Sequence, residues 1–210
     1  GLNKPGQCVY ATKLMLGDIP EEKYKNREKY WKSTNINYQE NHVTVIIKVD
    51  GEEQRFSPKE IASKILKNLI DISKSDLPPK VSNTVISVPT EFNKSQINDI
   101  SEAAKLAGLN NIHLIYDPIL ASIAYLFNMQ EDITKSRTIL VYNLGASFLN
   151  VSILQINNNG NNKITTVFDE NVDVRQIDDE VFNYAYKEFN NIYPQKADFL
   201  KDPKTKRKLY

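Results

Sequence analysis

The chain has 210 residues, 40% of them hydrophobic, with 27 Lys and Arg against 26 Asp and Glu for a formal charge of +1. That size allows one large core or two small ones, and the balanced charge excludes the basic field by which proteins attract nucleic acid. The single cysteine, Cys8, excludes an intrachain disulfide and fits a reducing, cytoplasmic setting. No apolar run is long enough to span a bilayer and no N-terminal pattern resembles a signal peptide, so no membrane partner is expected.

In chain order, the stretch 21–32 alternates lysines with Glu21, Glu22 and Glu28, which predicts a solvated helix face. Residues 42–56, HVTVIIKVDGEEQRF, give two strand-like runs around Asp50-Gly51, a pair that accepts positive φ and so predicts a tight hairpin. Ser57-Pro58-Lys59-Glu60 then opens a helix. Ser57 can cap it, Pro58 suits its first position, and Glu60 can reach back to complete a capping box. Ile61, Ile65, Leu69 and Ile72 form its expected apolar stripe. After Pro78-Pro79, the β-branched run TVISV at 84–88 reads as a buried strand. Asn93 with Gln96 repeats the capping pattern, Ile97, Ile100, Ala103, Ala104 and Ala107 line one helix face, and Gly108 ends that helix.

A strand at 112–116 and a helix from Asp117-Pro118 follow. Residues 138–156 and 163–170 read as an antiparallel meander, with NNNGNN at 157–162 as its surface turn, and 177–190 as a last helix. Strands and helices alternate, so the class is α/β, and the meander begins a second layered unit. The polar stretch MQEDITKSR, 129–137, is the expected surface connection between the two halves.

Direct signs of chemistry are few. There is no Walker loop, no dinucleotide fingerprint and no cluster of zinc ligands, so no metal site is expected. His42 and His113 each stand alone, in or beside a strand pattern. The most suggestive stretch is ILVYNLGASFLNV, 139–151, where an apolar run reaches Asn143, bends, and leaves as another strand.

Residues 85–125, VISVPTEFNKSQINDISEAAKLAGLNNIHLIYDPILASIAY, resemble the first-lobe segment of the seventy-kilodalton heat-shock (Hsp70) chaperones, with a Val-Pro-x-x-Phe-Asn strand end, an AGL helix stop and an acidic-Pro pair. The bend at 143–148 resembles the family's second phosphate loop, and NKPGQCVYATKLMLG, 3–17, resembles its segment carrying an active-site lysine. The resemblance implies an actin-like ATPase (ribonuclease H-like) fold and part of a two-lobed nucleotide-binding domain. Residues 1–137 would belong to the first lobe, with a peripheral subdomain to about 60 and a central one over about 61–137, and 138–210 would begin the second lobe. The family's first phosphate loop, adenine-binding loop and peptide-binding domain have no counterpart in these residues, so ATP or ADP with magnesium, the cofactors of the intact domain, would be held weakly or not at all.

The resemblance also implies site residues. Lys13 matches the phosphate-contacting lysine, and Asp117 the active-site glutamate, one methylene shorter. Asn143 stands for the aspartate that organises magnesium and the attacking water, while Gly145, Ala146, Ser147 and Phe148 stand for the glycine turn and a threonine. An amide carries no charge, Ala146 adds a Cβ where close approach is wanted, and Phe148 replaces a small hydroxyl with a ring. Pro89 matches a proline that couples the lobes, but Ile97 replaces its arginine partner. NVDVRQID, 171–178, replaces a double glycine and the acid after it. The expectation is a divergent, catalytically degraded member that acts with protein partners such as a J-domain protein, an exchange factor or another family chaperone, resembling the ribosome-associated type. The alternatives are an authentic ATP-hydrolysing chaperone and a nucleotide-independent interaction domain.

Overall fold

The computed structural model describes residues 8–31, 34–73, 83–132, 135–157, 162–169 and 172–195. Residues 3–7 of the lysine-bearing segment, Lys32, Pro78-Pro79, residues 133 and 134 of the connection, residues 158–161 of the Asn-rich turn, and residues 170 and 171 lie outside the described residues. The chain separates into two compact units, 3–133 and 134–210.

The first unit opens with a single 3-10 turn, Thr12–Met15, followed by helix α1, Glu21–Arg27, and a second 3-10 turn, Glu28–Trp31. No side chain of α1 is buried, and Glu21 pairs with Lys25 at 2.7 Å along its surface. This is the solvated face that the charge alternation predicts. Strands β1 (Asn35–Gln39), β2 (His42–Val49) and β3 (Glu52–Phe56) form an antiparallel meander. Asp50 and Gly51 turn the second hairpin at φ 53° and 91°, as their sequence predicts. Strand β1 has no counterpart among the elements expected from sequence; its hairpin with β2 turns at Glu40 and Asn41, φ 51° and 66°. The phenol of Tyr38 donates to the Ile19 carbonyl at 2.7 Å, tying this sheet to the segment before α1.

Helix α2 runs over Pro58–Ser73. The Glu60 carboxylate accepts from both the Ser57 N–H at 2.7 Å and the Ser57 hydroxyl at 2.8 Å, completing the expected capping box. Its apolar stripe departs from expectation. Ile61 is buried, but Ile65, Leu69 and Ile72 are 48%, 56% and 68% exposed. The buried residues Pro58, Ile61 and Ser63 all lie in the first half of the helix, so none of the described residues buries the later part of the stripe.

Strand β4, Thr84–Val88, pairs in parallel with β5, Ile112–Tyr116, and helix α3, Lys94–Leu106, connects them. A parallel pair needs such a crossover. Strand β4 is not buried on both faces as its composition suggests: Val88 is 2% exposed but Val85 is 54% exposed. The inner face, with Ile86, Val88 and Leu114, belongs to a core formed with Leu16, Phe92 and Ile100. Asn93 and Gln96 exchange capping hydrogen bonds at 2.9 and 3.0 Å. At the other end of α3, Gly108 at φ 89° lets Leu109 N–H reach the Ala104 carbonyl at 3.0 Å, a Schellman closure that fits its place in the sequence. Helix α4, Asp117–Asn128, follows β5 directly.

The second unit is an antiparallel meander of β6 (Arg137–Leu144), β7 (Leu149–Ile156) and β8 (Lys163–Asp169), then helix α5, Val174–Ile192, somewhat longer than its sequence pattern suggests. One sheet face buries Asn150, Ser152 and Leu154, while the other leaves Leu140, Tyr142, Ile153 and Val167 exposed. No helix among the described residues is long and apolar enough to cross a membrane.

Candidate functional site

Lys13 is carried by the first 3-10 turn. The residues after it, Leu14, Met15 and Leu16, are 4%, 0% and 1% exposed and root the turn in the core, so Lys13 is left on the outside. Leu14 N–H closes the turn on the Ala11 carbonyl at 2.9 Å, which holds Ala11 in the left-handed region at φ 52°. A non-glycine residue there is strained by about 1–2 kcal/mol. From α1, the Arg27 guanidinium donates to the Leu14 carbonyl at 3.2 Å.

The turn ends at Gly17, φ 70°, which lies against the start of α3. A Cβ at Gly17 would come within 2.7 Å of the Gln96 backbone nitrogen, so no side chain fits there. Gly17 N–H donates to the Asp99 carboxylate at 2.8 Å and Asp18 N–H to the Ser95 hydroxyl at 3.1 Å. One turn further along α3, Glu102 pairs with Lys59 of α2 at 2.6 Å. That hydrogen bond raises the Lys59 ammonium above its ordinary pKa and lowers the Glu102 carboxyl below its own. Ser95, Asp99 and Glu102 lie four and three residues apart and therefore share one helix face.

Pro89 is buried at the end of β4, and its carbonyl accepts from Phe92 N–H at 3.3 Å. Ile97 packs against the cluster of Leu16, Val88, Phe92 and Ile100, so this position of α3 contributes to the core. Asp117 is the first residue of α4 but not its cap. That position is held by Tyr116, with no side-chain hydrogen bond. A carboxylate in the first turn still interacts favourably with the helix dipole.

In the second unit the bend lies one residue later than the sequence suggests. Strand β6 continues through Leu144, which pairs with Leu149, leaving Gly145, Ala146, Ser147 and Phe148 as the loop. Gly145 N–H donates to the Phe148 carbonyl at 3.1 Å, and the Gly145 carbonyl accepts from Val174 N–H at 3.0 Å, joining the loop to the first turn of α5. Gly145 is not held at positive φ, and an added Cβ would meet the Phe148 carbonyl at 3.4 Å. Ala146 is exposed, while Ser147 and Phe148 are half-buried.

Asn143 is exposed and stands opposite Asn150 across the hairpin. Asn150 is 3% exposed and accepts a hydrogen bond from the Ser152 hydroxyl at 2.8 Å. Sequence reasoning misses Asn150, although the strand alternation beyond the loop places it opposite Asn143. It also misses Asp173, which is 1% exposed. Asp173 caps α5 by accepting from Gln176 N–H at 2.9 Å and meets Arg175 at 3.2 Å. Among the described residues no group of three His, Cys, Asp or Glu side chains is placed to hold a metal ion.

The structure thus assigns Lys13, Pro89, Ile97 and Asp117 to the first unit and residues 143–148 to the second. A family model described as Hsp70 protein matches residues 2–210. The chain is 31% identical over 90% of its length to a Phaeodactylum tricornutum protein named chaperone protein dnaK, covering 30% of it. It is equally 31% identical, over 72% of its length, to a ribosome-associated molecular chaperone of Nakaseomyces delphensis, covering 25% of that protein. To the chaperone protein DnaK of Stenotrophomonas maltophilia it is 29% identical over 99% of its length, covering 32% of that protein. The chain therefore spans about a third or less of the curated relatives it matches.

Proposed function

The chain belongs to the Hsp70 family, as part of its nucleotide-binding domain with the actin-like fold, and from that premise we propose that it comes from a divergent member acting as a chaperone partner or regulator in protein folding, with ATP turnover slow or absent. Lys13 is the contact to phosphate in this reading, and bound nucleotide fixes the shape of the domain without being consumed. The intact protein works in the cytoplasm with protein partners: a J-domain protein, an exchange factor or another chaperone of the family. Asp117 and Asn143 are vestiges of the hydrolytic machinery.

The pairing of Asn143 with Asn150 beside the loop that ends in Phe148 carries this reading. Magnesium on a nucleotide is held through one or two carboxylates together with phosphate oxygens. These two residues offer neutral amides, so this pair does not fit the ion, and neither amide can take a proton from water. Losing one positioned group of this kind costs about a hundredfold or more in rate. The buried Asp173 carboxylate next to the loop is already engaged, accepting a backbone N–H at the start of α5 and pairing with Arg175.

Steady-state ATPase measurements on the full-length protein test the proposal. Turnover is expected far below that of a DnaK measured alongside, with a gain in the double variant Asn143→Asp, Phe148→Thr. Turnover at DnaK rates that disappears in Lys13→Ala would sink the reading in favour of an authentic ATPase. Calorimetric titration with magnesium-ATP adds a second criterion: no binding would leave a nucleotide-independent interaction domain.

A further inference from the structure

Lys13 is exposed on a single turn, and where its ammonium points depends on how firmly that turn is held. Buried Leu14, Met15 and Leu16 fix the turn from beneath, and Arg27 holds the Leu14 carbonyl. The exit of the turn is Gly17, the residue type with the widest backbone freedom. Its conformation is fixed by what meets it: the Gln96 backbone packed so closely that no Cβ fits, and the Asp99 carboxylate accepting its N–H at 2.8 Å across 82 residues of sequence. The same face of α3 takes the next N–H, from Asp18, on Ser95 and the Lys59 ammonium of α2 on Glu102. Asp99 is therefore the central grip of a polar stripe that clamps the lysine-bearing segment and α2 to one helix.

We infer that Asp99 is a positioning residue for Lys13: by locking Gly17 it presents the ammonium in one direction, ready for a phosphate. The inference rests on the reading of Lys13 as the phosphate contact. A charged acceptor makes a stronger hydrogen bond than a neutral one, and an amide oxygen at the same place still accepts. Asp99→Asn therefore retains the grip, whereas Asp99→Ala releases it.

The test uses the natural full-length protein containing this chain, with ADP and magnesium as the probe, measured well below the melting temperature. Asp99→Ala is expected to speed exchange of the Gly17 amide hydrogen and to weaken nucleotide binding, each by about tenfold, the scale of one such hydrogen bond. Asp99→Asn is expected to restore both to within about threefold, since the acceptor is kept. Lys13→Ala is expected to weaken binding while leaving Gly17 exchange slow. If Lys13→Ala weakens binding and Asp99→Ala does not, Asp99 serves structure alone and the inference is overturned while the reading of Lys13 stands. Unchanged affinity in Lys13→Ala, or no binding by the unmodified protein, removes that reading and the inference with it. Should Asp99→Ala fail to fold, Gly17 exchange in the unmodified protein decides: exchange at the rate of an exposed amide overturns the inference.

Discussion

Asn143 and Asn150 face each other across the β6–β7 hairpin, one exposed and the other 3% exposed. The difference separates two roles that the sequence alone does not distinguish. Asn143 is free of packing duties at the loop, so its chemistry can be changed with little loss of stability. Asn150 sits in a buried polar row, where the Ser152 hydroxyl donates to it and lies 2.8 Å from Thr166. Asn150→Ala would remove the buried amide from this row, breaking the bond from Ser152 and leaving that hydroxyl to turn to Thr166, and is expected to cost about 1–3 kcal/mol. Asn143→Ala should stay within about 0.5 kcal/mol. Urea unfolding midpoints of the two variants check the contrast, and equal losses would contradict it.

Among the described residues, three glycines at positive φ allow conformational strain to be separated from steric clash. Gly51 and Gly108, at φ 91° and 89°, have nothing within 4 Å of an added Cβ. Alanine at either should cost about 1–2 kcal/mol, the left-handed backbone penalty alone. At Gly17 the new Cβ would also sit 2.7 Å from the Gln96 backbone nitrogen, which cannot swing aside as a side-chain end could. Gly17→Ala is therefore expected to exceed the other two by about 1–3 kcal/mol, the scale of overpacking. Melting temperatures of the three variants should fall in that order.

These contrasts also show which features a sequence reveals. The capping boxes at Ser57 and Asn93, the Asp50-Gly51 turn and the Gly108 helix stop were all legible, because each is made by residues within a few positions of one another. The hold of Asp99 on Gly17 was not, since 82 residues separate them and neither is unusual in its local pattern. Burial was only half legible. Apolar periodicity marks the stripe of α2, but whether Leu69 is covered depends on what packs against it. Lys13, Asp117 and residues 143–148 are singled out only by resemblance to a family, and the spacing of charged residues alone points to none of them.

The Glu60 capping box predicts a pH dependence. Hydrogen bonds from the Ser57 backbone N–H, then from its hydroxyl, hold the Glu60 carboxyl below its ordinary value of 4.5. A carboxyl depressed by folding adds stability that is fully present above its unfolded pKa and disappears as pH falls through the lower folded value. Glu60 is largely exposed, so solvent screening keeps the contribution small. Glu60→Gln keeps an oxygen for Ser57 but loses the charge. It should be less stable than the parent at pH 7, and the gap should close as pH drops below 4.5. Urea midpoints at a series of pH values report this, and a gap independent of pH would contradict it.

Helix α2 offers the sharpest test of how burial apportions stability along one apolar stripe. Ile61 is 8% exposed, in the helix half that packs on α3, while Leu69 two turns later is 56% exposed. Truncating a buried isoleucine loses its transfer energy and leaves a cavity, so Ile61→Ala is expected to cost about 2–4 kcal/mol. Leu69→Ala leaves no cavity and replaces one good helix former with a better one, so it should fall within about 0.5 kcal/mol of the parent. Both values follow from denaturant unfolding of residues 1–210. A loss at Leu69 approaching that at Ile61 would mean that the later part of the stripe is covered in solution, either by residues outside those described or by a second copy of the chain. Repeating the measurement at several protein concentrations separates these two, because only association makes the stability concentration-dependent.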